Sequence, residues 1–140
     1  TGFANQPNSK NRYDGLLLYN SYLTTALKCV PPADKPTPIE LKTCSYYFKK
    51  ENQYLKKVNT ILALGKIAFE ACLNFYKEEH SIRNKDYIFS HGCKYELPDK
   101  KILVGSYHPS PRNVNTGKID LSKMVVLLNN IKKMMKDTND

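Results

Sequence analysis

Long hydrophobic runs are missing from this 140-residue chain: apolar stretches such as Leu16–Leu18 and Ile61–Leu64 fall far short of the roughly 20 residues a bilayer-spanning helix needs. That excludes a helical membrane span. Cysteine is also scarce. Cys29, Cys44, Cys72 and Cys93 are too few and too widely spaced for a disulfide-dense secreted scaffold, and no C-x-x-C occurs. An intracellular protein of the cytoplasm or nucleoid, with some cysteines in the core and others as metal ligands, fits better. No x-G-x-x-x-x-G-K phosphate loop is present, which removes the main signature of a small nucleotide-binding α/β protein. Internal repeats and low-complexity runs are absent too. Acidic residues are in the minority, 13 against 22 Lys and Arg, leaving a net charge of +9 and a pI near 9.3. Such a surplus suits phosphate backbones or an anionic membrane surface equally, and a solvated lysine-rich coding bias produces the same figure. The lysines are scattered, with no block of five that would read as a tail.

What is present is ordinary globular composition, 41% apolar and 25% charged. A chain of this length buries about two thirds of its unfolded surface and needs no covalent staples. Thr1 to Asp14 is polar, with Gly2, Pro7 and several Asn, and reads as an irregular entry segment rather than a secretory signal. Tyr22 to Lys28 is rich in strand formers and is expected to be a strand, ending where Pro31-Pro32 halts any ladder. Thr37-Pro38-Ile39-Glu40 has every mark of a helix start: an N-cap threonine, proline at the first helical position and glutamate three residues after the cap. Leu41, Cys44, Phe48, Leu55 and Val58 recur at near-helical spacing, predicting a helix to about Lys57.

Thr60–Leu64, apolar on both faces and stopped by Gly65, reads as a buried parallel strand. A helix over Lys66–Phe75 is expected next, with Ile67, Ala68, Ala71 and Cys72 inward. Tyr87–Phe89 and Lys94–Glu96 read as short strands, Pro98-Asp99 as a turn and Lys101–Tyr107 as a further strand. His108 to Gly117 reads as an irregular loop. Asp120 caps a last helix with Met124, Leu127, Leu128, Ile131 and Met135 inward. Strand and helix alternate as in an α/β domain with a central, mainly parallel sheet, which binds ligands at the C-terminal ends of its strands.

Two loops at such ends carry chemistry. His108-Pro109-Ser110-Pro111-Arg112-Asn113 begins with an imidazole stiffened by the following proline, a means of preorganising a group against developing negative charge. Ser110, Arg112 and Thr116-Gly117-Lys118 bring hydroxyl, guanidinium, bare backbone and ammonium, all phosphate-binding groups. A histidine that merely caps a loop is the bland alternative. In the other loop Cys29 and Cys44, with fourteen residues between them, suit a shared metal or iron–sulfur site, or are idle thiols. Cys72 lies on an apolar helix face and reads as core; Cys93 stays open.

Leu23 to Thr43 closed by Cys44, Ile61-Leu62-Ala63-Leu64-Gly65, Gly105-Ser106-Tyr107-His108-Pro109-Ser110 and Asn113-Val114-Asn115-Thr116-Gly117 together resemble the successive motifs of the family 5 uracil-DNA glycosylases. The entry Gly2-Phe3-Ala4-Asn5-Gln6-Pro7 and His91-Gly92 extend the resemblance over nearly the whole chain. It implies a three-layer α/β/α domain. It also implies an enzyme that flips uracil or a related deaminated base out of DNA and hydrolyses its N-glycosidic bond. By the same resemblance His108 is the catalytic group that stabilises the leaving base. Ser110, Arg112, Asn113, Thr116, Gly117 and Lys118 would bind DNA, and Thr25 would face the base. Cys29 and Cys44 would be two of the four ligands of a [4Fe–4S] cluster.

The family's early motif, with a water-positioning group, an aromatic that stacks on uracil and the other two cluster cysteines, lies upstream of the segment matching Thr1. The resemblance therefore implies that residues 1–140 form a partial, C-terminal portion of one domain, its first strands missing from this chain. An N-terminal segment or a partner chain is expected to complete it. Thr25 stands where related enzymes often carry Asn, which implies looser base specificity. The rival expectation is an inactive glycosylase-like remnant acting as a structural or nucleic-acid-binding component of a larger assembly.

Overall fold

A computed structural model describes residues 1–137. Seven regular elements follow one another: α1 (Pro38–Tyr54), β1 (Thr60–Leu64), α2 (Lys66–Glu79), β2 (Lys94–Glu96), β3 (Ile102–Ser106), α3 (Pro111–Asn115) and α4 (Leu121–Asp137). Single 3-10 turns occur at Pro32–Asp34 and Asn84–Asp86. The strands form one sheet in the order β1-β3-β2. β1 runs parallel to β3, from Thr60 opposite Ile102 to Leu64 opposite Ser106. β2 is antiparallel to β3, with Tyr95 opposite Leu103.

The two-residue period of a strand divides the apolar side chains between two faces. Ile61, Ala63 and Leu103 join Phe69, Cys72, Leu73, Phe75 and Tyr76 of α2 and Phe48 of α1. Leu62, Ile102 and Val104 pack on the other face with Leu127 and Ile131 of α4 and with Phe3. Helices therefore cover both faces, giving the α/β layering expected. The sheet is mixed rather than mainly parallel, since β1–β3 is the one parallel pair among the described residues.

The start of α1 is as the sequence dictates: Thr37 Oγ1 accepts the Glu40 amide at 3.2 Å, and the Glu40 carboxylate accepts the Thr37 amide at 2.7 Å. Asp120 likewise caps α4, accepting the Lys123 amide at 2.8 Å.

Several local expectations fail. Tyr22–Lys28 is not a strand. Among the described residues no neighbouring strand offers it a ladder, and its polar side chains instead converge on Glu51 of α1. Tyr87–Phe89 is not one either. The Tyr95 hydroxyl binds both the amide and the carbonyl of Ile88, each at 2.9 Å, and so replaces the pairing partner. α1 stops at Tyr54, before Lys57. The His108–Gly117 segment is not wholly irregular: Ser110 and Pro111 start the short helix α3. Within α2, which runs on to Glu79, Ile67 is half exposed and Phe69 takes the enclosed place.

Candidate active site

The parallel pair β1–β3 sets the site, because both strands point their C-terminal ends the same way and both chains turn sharply there. Beyond the strands the Gly65 amide donates to the Ser106 carbonyl at 2.7 Å, holding the two exits together. Gly65 has φ +95°, and a Cβ on it would lie 3.3 Å from the Cβ of His108. Only glycine therefore serves here: any side chain would adopt a strained backbone and crowd the histidine. α2 begins directly afterwards with no side-chain cap. Its first amides carry the positive end of the helix dipole next to His108.

The loop after His108 is locked by its own groups. The His108 carbonyl accepts the Ser110 amide at 2.8 Å and the Asn113 side-chain amide at 2.9 Å. Ser110 caps α3 by accepting the Asn113 amide at 3.4 Å, and Pro111 supplies the first helical position. Ser110 and Asn113, expected to reach DNA, are thus engaged within the loop. Arg112, Thr116, Gly117 and Lys118 are exposed along its outer side. The Thr116 hydroxyl donates to the Arg112 carbonyl at 2.8 Å, and Lys118 Nζ sits 6.0 Å from the centre of the Tyr107 ring. His108 itself is exposed. It lines neither of two surface cavities, one of about 330 Å3 between α2 and Phe89, the other of about 540 Å3 around Thr25, Lys28 and Cys29.

The cysteine loop is built apart from this, by polar contacts. Lys28 forms an ion pair with Glu51 at 2.8 Å, and Thr24 donates to the same carboxylate at 2.7 Å. Burial pushes the Glu51 carboxyl up, but hydrogen bonds from Lys28 and Thr24 outweigh it and hold the group below its usual range. The anchored Lys28 directs its backbone amide at the buried Cys44 sulfur, 3.4 Å away, while the adjacent Cys29 is exposed beside Thr25. No group of three or more His, Cys, Asp or Glu able to hold a metal ion occurs among the described residues. Cys72 is core, as expected, and burial pushes its thiol up to about 12. Cys93, half-buried, accepts the Ser90 amide at 3.5 Å.

Sequence reasoning gave no role to two residues beside the site. His91 Nδ1 lies 3.2 Å from the hydroxyl of Ser106, and its ring stacks on Tyr107 with centroids 6.1 Å apart and planes 8° from parallel. Ser106 is fully enclosed. The available signals were the position of Ser106 two residues before His108 and the place of His91-Gly92 among the motifs of the resemblance.

The family model described as the uracil DNA glycosylase superfamily matches residues 2–132. Among curated proteins the chain is 37% identical over 133 residues to a type-5 uracil-DNA glycosylase of Thermus thermophilus, covering 95% of this chain and 58% of that protein. It is 32% identical over 127 residues to a type-5 uracil-DNA glycosylase of Pyrobaculum aerophilum, covering 91% and 53%. A type-4 uracil-DNA glycosylase of Archaeoglobus fulgidus is 30% identical over 100 residues, covering 69% and 48%. The chain thus spans about half the length of the curated relatives it matches.

Proposed function

The chain belongs to the uracil DNA glycosylase superfamily, and from that membership we propose that it is part of a base-excision enzyme that flips uracil or a related deaminated base out of DNA and hydrolyses its N-glycosidic bond. The observation that carries this reading is the seat of His108: an imidazole at the C-terminal end of a parallel strand, against Gly65, on a loop whose carbonyl is held twice. Cleavage leaves an oxocarbenium-like sugar and an anionic base. A ring N–H of His108 donates to the carbonyl oxygen where that charge gathers, and the uncapped first turn of α2 adds a field of the same sign. Arg112 and Lys118 meet backbone phosphates, and Thr25 contributes to the base's surroundings.

Cys29 and Cys44 are, in this reading, two of four ligands to a [4Fe–4S] cluster, and a backbone amide aimed at the Cys44 sulfur suits an anionic thiolate. Such a cluster would supply a structural tie between loops. The remaining ligands and the water-positioning group belong to a further segment or a completing chain. A second reading, an inactive component that binds nucleic acid, is favoured by one observation, the exposure of His108 outside both cavities.

Single-turnover release of uracil from a duplex by the complete protein separates the two. His108→Ala is expected to lower the rate by about 10²–10³-fold with duplex affinity nearly unchanged. Equal rates for both proteins would remove His108 from the chemistry. Tight DNA binding with no uracil release from the native, iron-loaded protein would establish the second reading.

A further inference from the structure

The turn at His91-Gly92 is attached to β3 more closely than a connecting turn requires. The Gly92 amide donates to the Gly105 carbonyl at 2.8 Å, and the Gly105 amide to the Cys93 carbonyl at 3.0 Å. A Cβ at Gly105 would sit 2.5 Å from Cys93 Sγ and 3.0 Å from the Ser90 carbonyl. The turn therefore lies flat on the strand only because position 105 has no side chain. This close approach places the His91 ring over Tyr107 and its Nδ1 at the Ser106 hydroxyl. The hydroxyl also lies 3.0 Å from the Tyr107 carbonyl, which belongs to the peptide whose nitrogen is that of His108.

A serine hydroxyl has one proton and two lone pairs. The Tyr107 carbonyl has none to give, so the enclosed hydroxyl donates there and accepts from His91. The proton of His91 is then on Nδ1. A continuous path results: His91 Nδ1–H to Ser106 Oγ–H to the Tyr107 carbonyl, fixing the plane of the peptide that enters His108.

We propose that His91 is a positioning residue for His108, acting through the Ser106 hydroxyl and the stacked Tyr107 ring to set the angle at which the His108 imidazole leaves the sheet. This rests on the glycosylase reading for its effect on catalysis, but not for the relay itself.

The test uses the complete protein labelled with nitrogen-15 in histidine. The His91 ring is expected to show the Nδ1–H tautomer in its nitrogen shifts. His91→Phe, which keeps an aromatic on Tyr107 and loses the donor, should move the ring resonances of His108 and lower the single-turnover rate 10- to 100-fold with duplex affinity within about twofold, as a misplaced reacting group does. His91→Asn, whose amide nitrogen falls near the position of Nδ1, should restore both largely. Ser106→Ala should match His91→Phe, and the double variant should be no worse than either. If His91→Phe does not fold, His91→Asn against Ser106→Ala makes the same comparison. An Nε2–H tautomer at His91, or His108 resonances unmoved in Ser106→Ala, would overturn the proposal. A native protein with the relay intact and no uracil release would overturn the glycosylase reading alone.

Discussion

The sheet and the arm that precedes it are held by different forces. Around β3, Leu103 and Val104 are fully enclosed and Phe69 and Leu73 nearly so. Before Cys44 no described residue is buried, and Leu17, Leu23 and Val30 are 59%, 74% and 85% exposed. The arm is shaped instead by hydrogen bonds, such as that from the Asn5 side chain to the Gly15 carbonyl, that from the Leu17 amide to the Asn5 side chain, and the convergence of Thr24 and Lys28 on Glu51. Close packing holds a position against many small perturbations, whereas a polar anchor depends on a few groups. His108 stands on the first kind of support and Cys29 on the second. The strand that carries the histidine is thus held by the core, the ring's direction is refined by the polar relay behind it, and the cysteine's place depends on one carboxylate.

The sharpest way to break this comparison is to cut one apolar side chain on each side. Leu103→Ala should cost about 2–5 kcal/mol, because the cavity it leaves is closed on all sides. Leu23→Ala should stay within about 0.5 kcal/mol. Urea unfolding of both variants measures the difference, and equal losses would erase the distinction.

A smaller effect is expected where the core meets water. Tyr76 donates to Asp99 at 2.8 Å, and Lys101 pairs with the same carboxylate. Burial pushes the Asp99 carboxyl up, but Lys101 and Tyr76 outweigh it and hold it below its ordinary 3.8. A depressed carboxyl contributes stability that is complete above the unfolded value and is lost as pH falls through the folded one. Asp99→Asn should therefore cost about 1–3 kcal/mol near neutrality, with the gap from the native protein closing below about pH 4 as the native carboxyl is protonated. A gap that widens in acid would reverse the sign of this coupling.

Least visible globally is Glu51→Gln, expected to change overall stability by under about 1 kcal/mol. Its effect should be local, with faster hydrogen exchange at the Lys28 amide and unaltered protection in β3. Uniform loss of protection would show that the arm and the sheet unfold as one.

The same division decides what the sequence disclosed. The capping residues Thr37, Glu40 and Asp120 and the apolar run Thr60–Leu64 act through neighbours in the chain, and each was legible from a few residues. Tyr22–Lys28 had the composition of a strand, but a strand needs a partner, and sequence composition does not say whether one is adjacent. Tyr95 answering for Ile88 is likewise a tertiary substitution that no local pattern encodes. At the site, His108 was legible as the first residue of a stiff dipeptide after a buried strand. Asn113 on its carbonyl is a contact within the loop that the residue types alone do not specify, while Gly65 against its Cβ and His91 behind Ser106 come from distances between separate segments of the chain.

The most direct test is a structure of the complete protein on a duplex carrying a non-cleavable deoxyuridine analogue. The account predicts the analogue's base out of the stack with a carbonyl oxygen about 2.7–3.2 Å from a ring nitrogen of His108. A base seated elsewhere, with that ring still facing solvent, would contradict it.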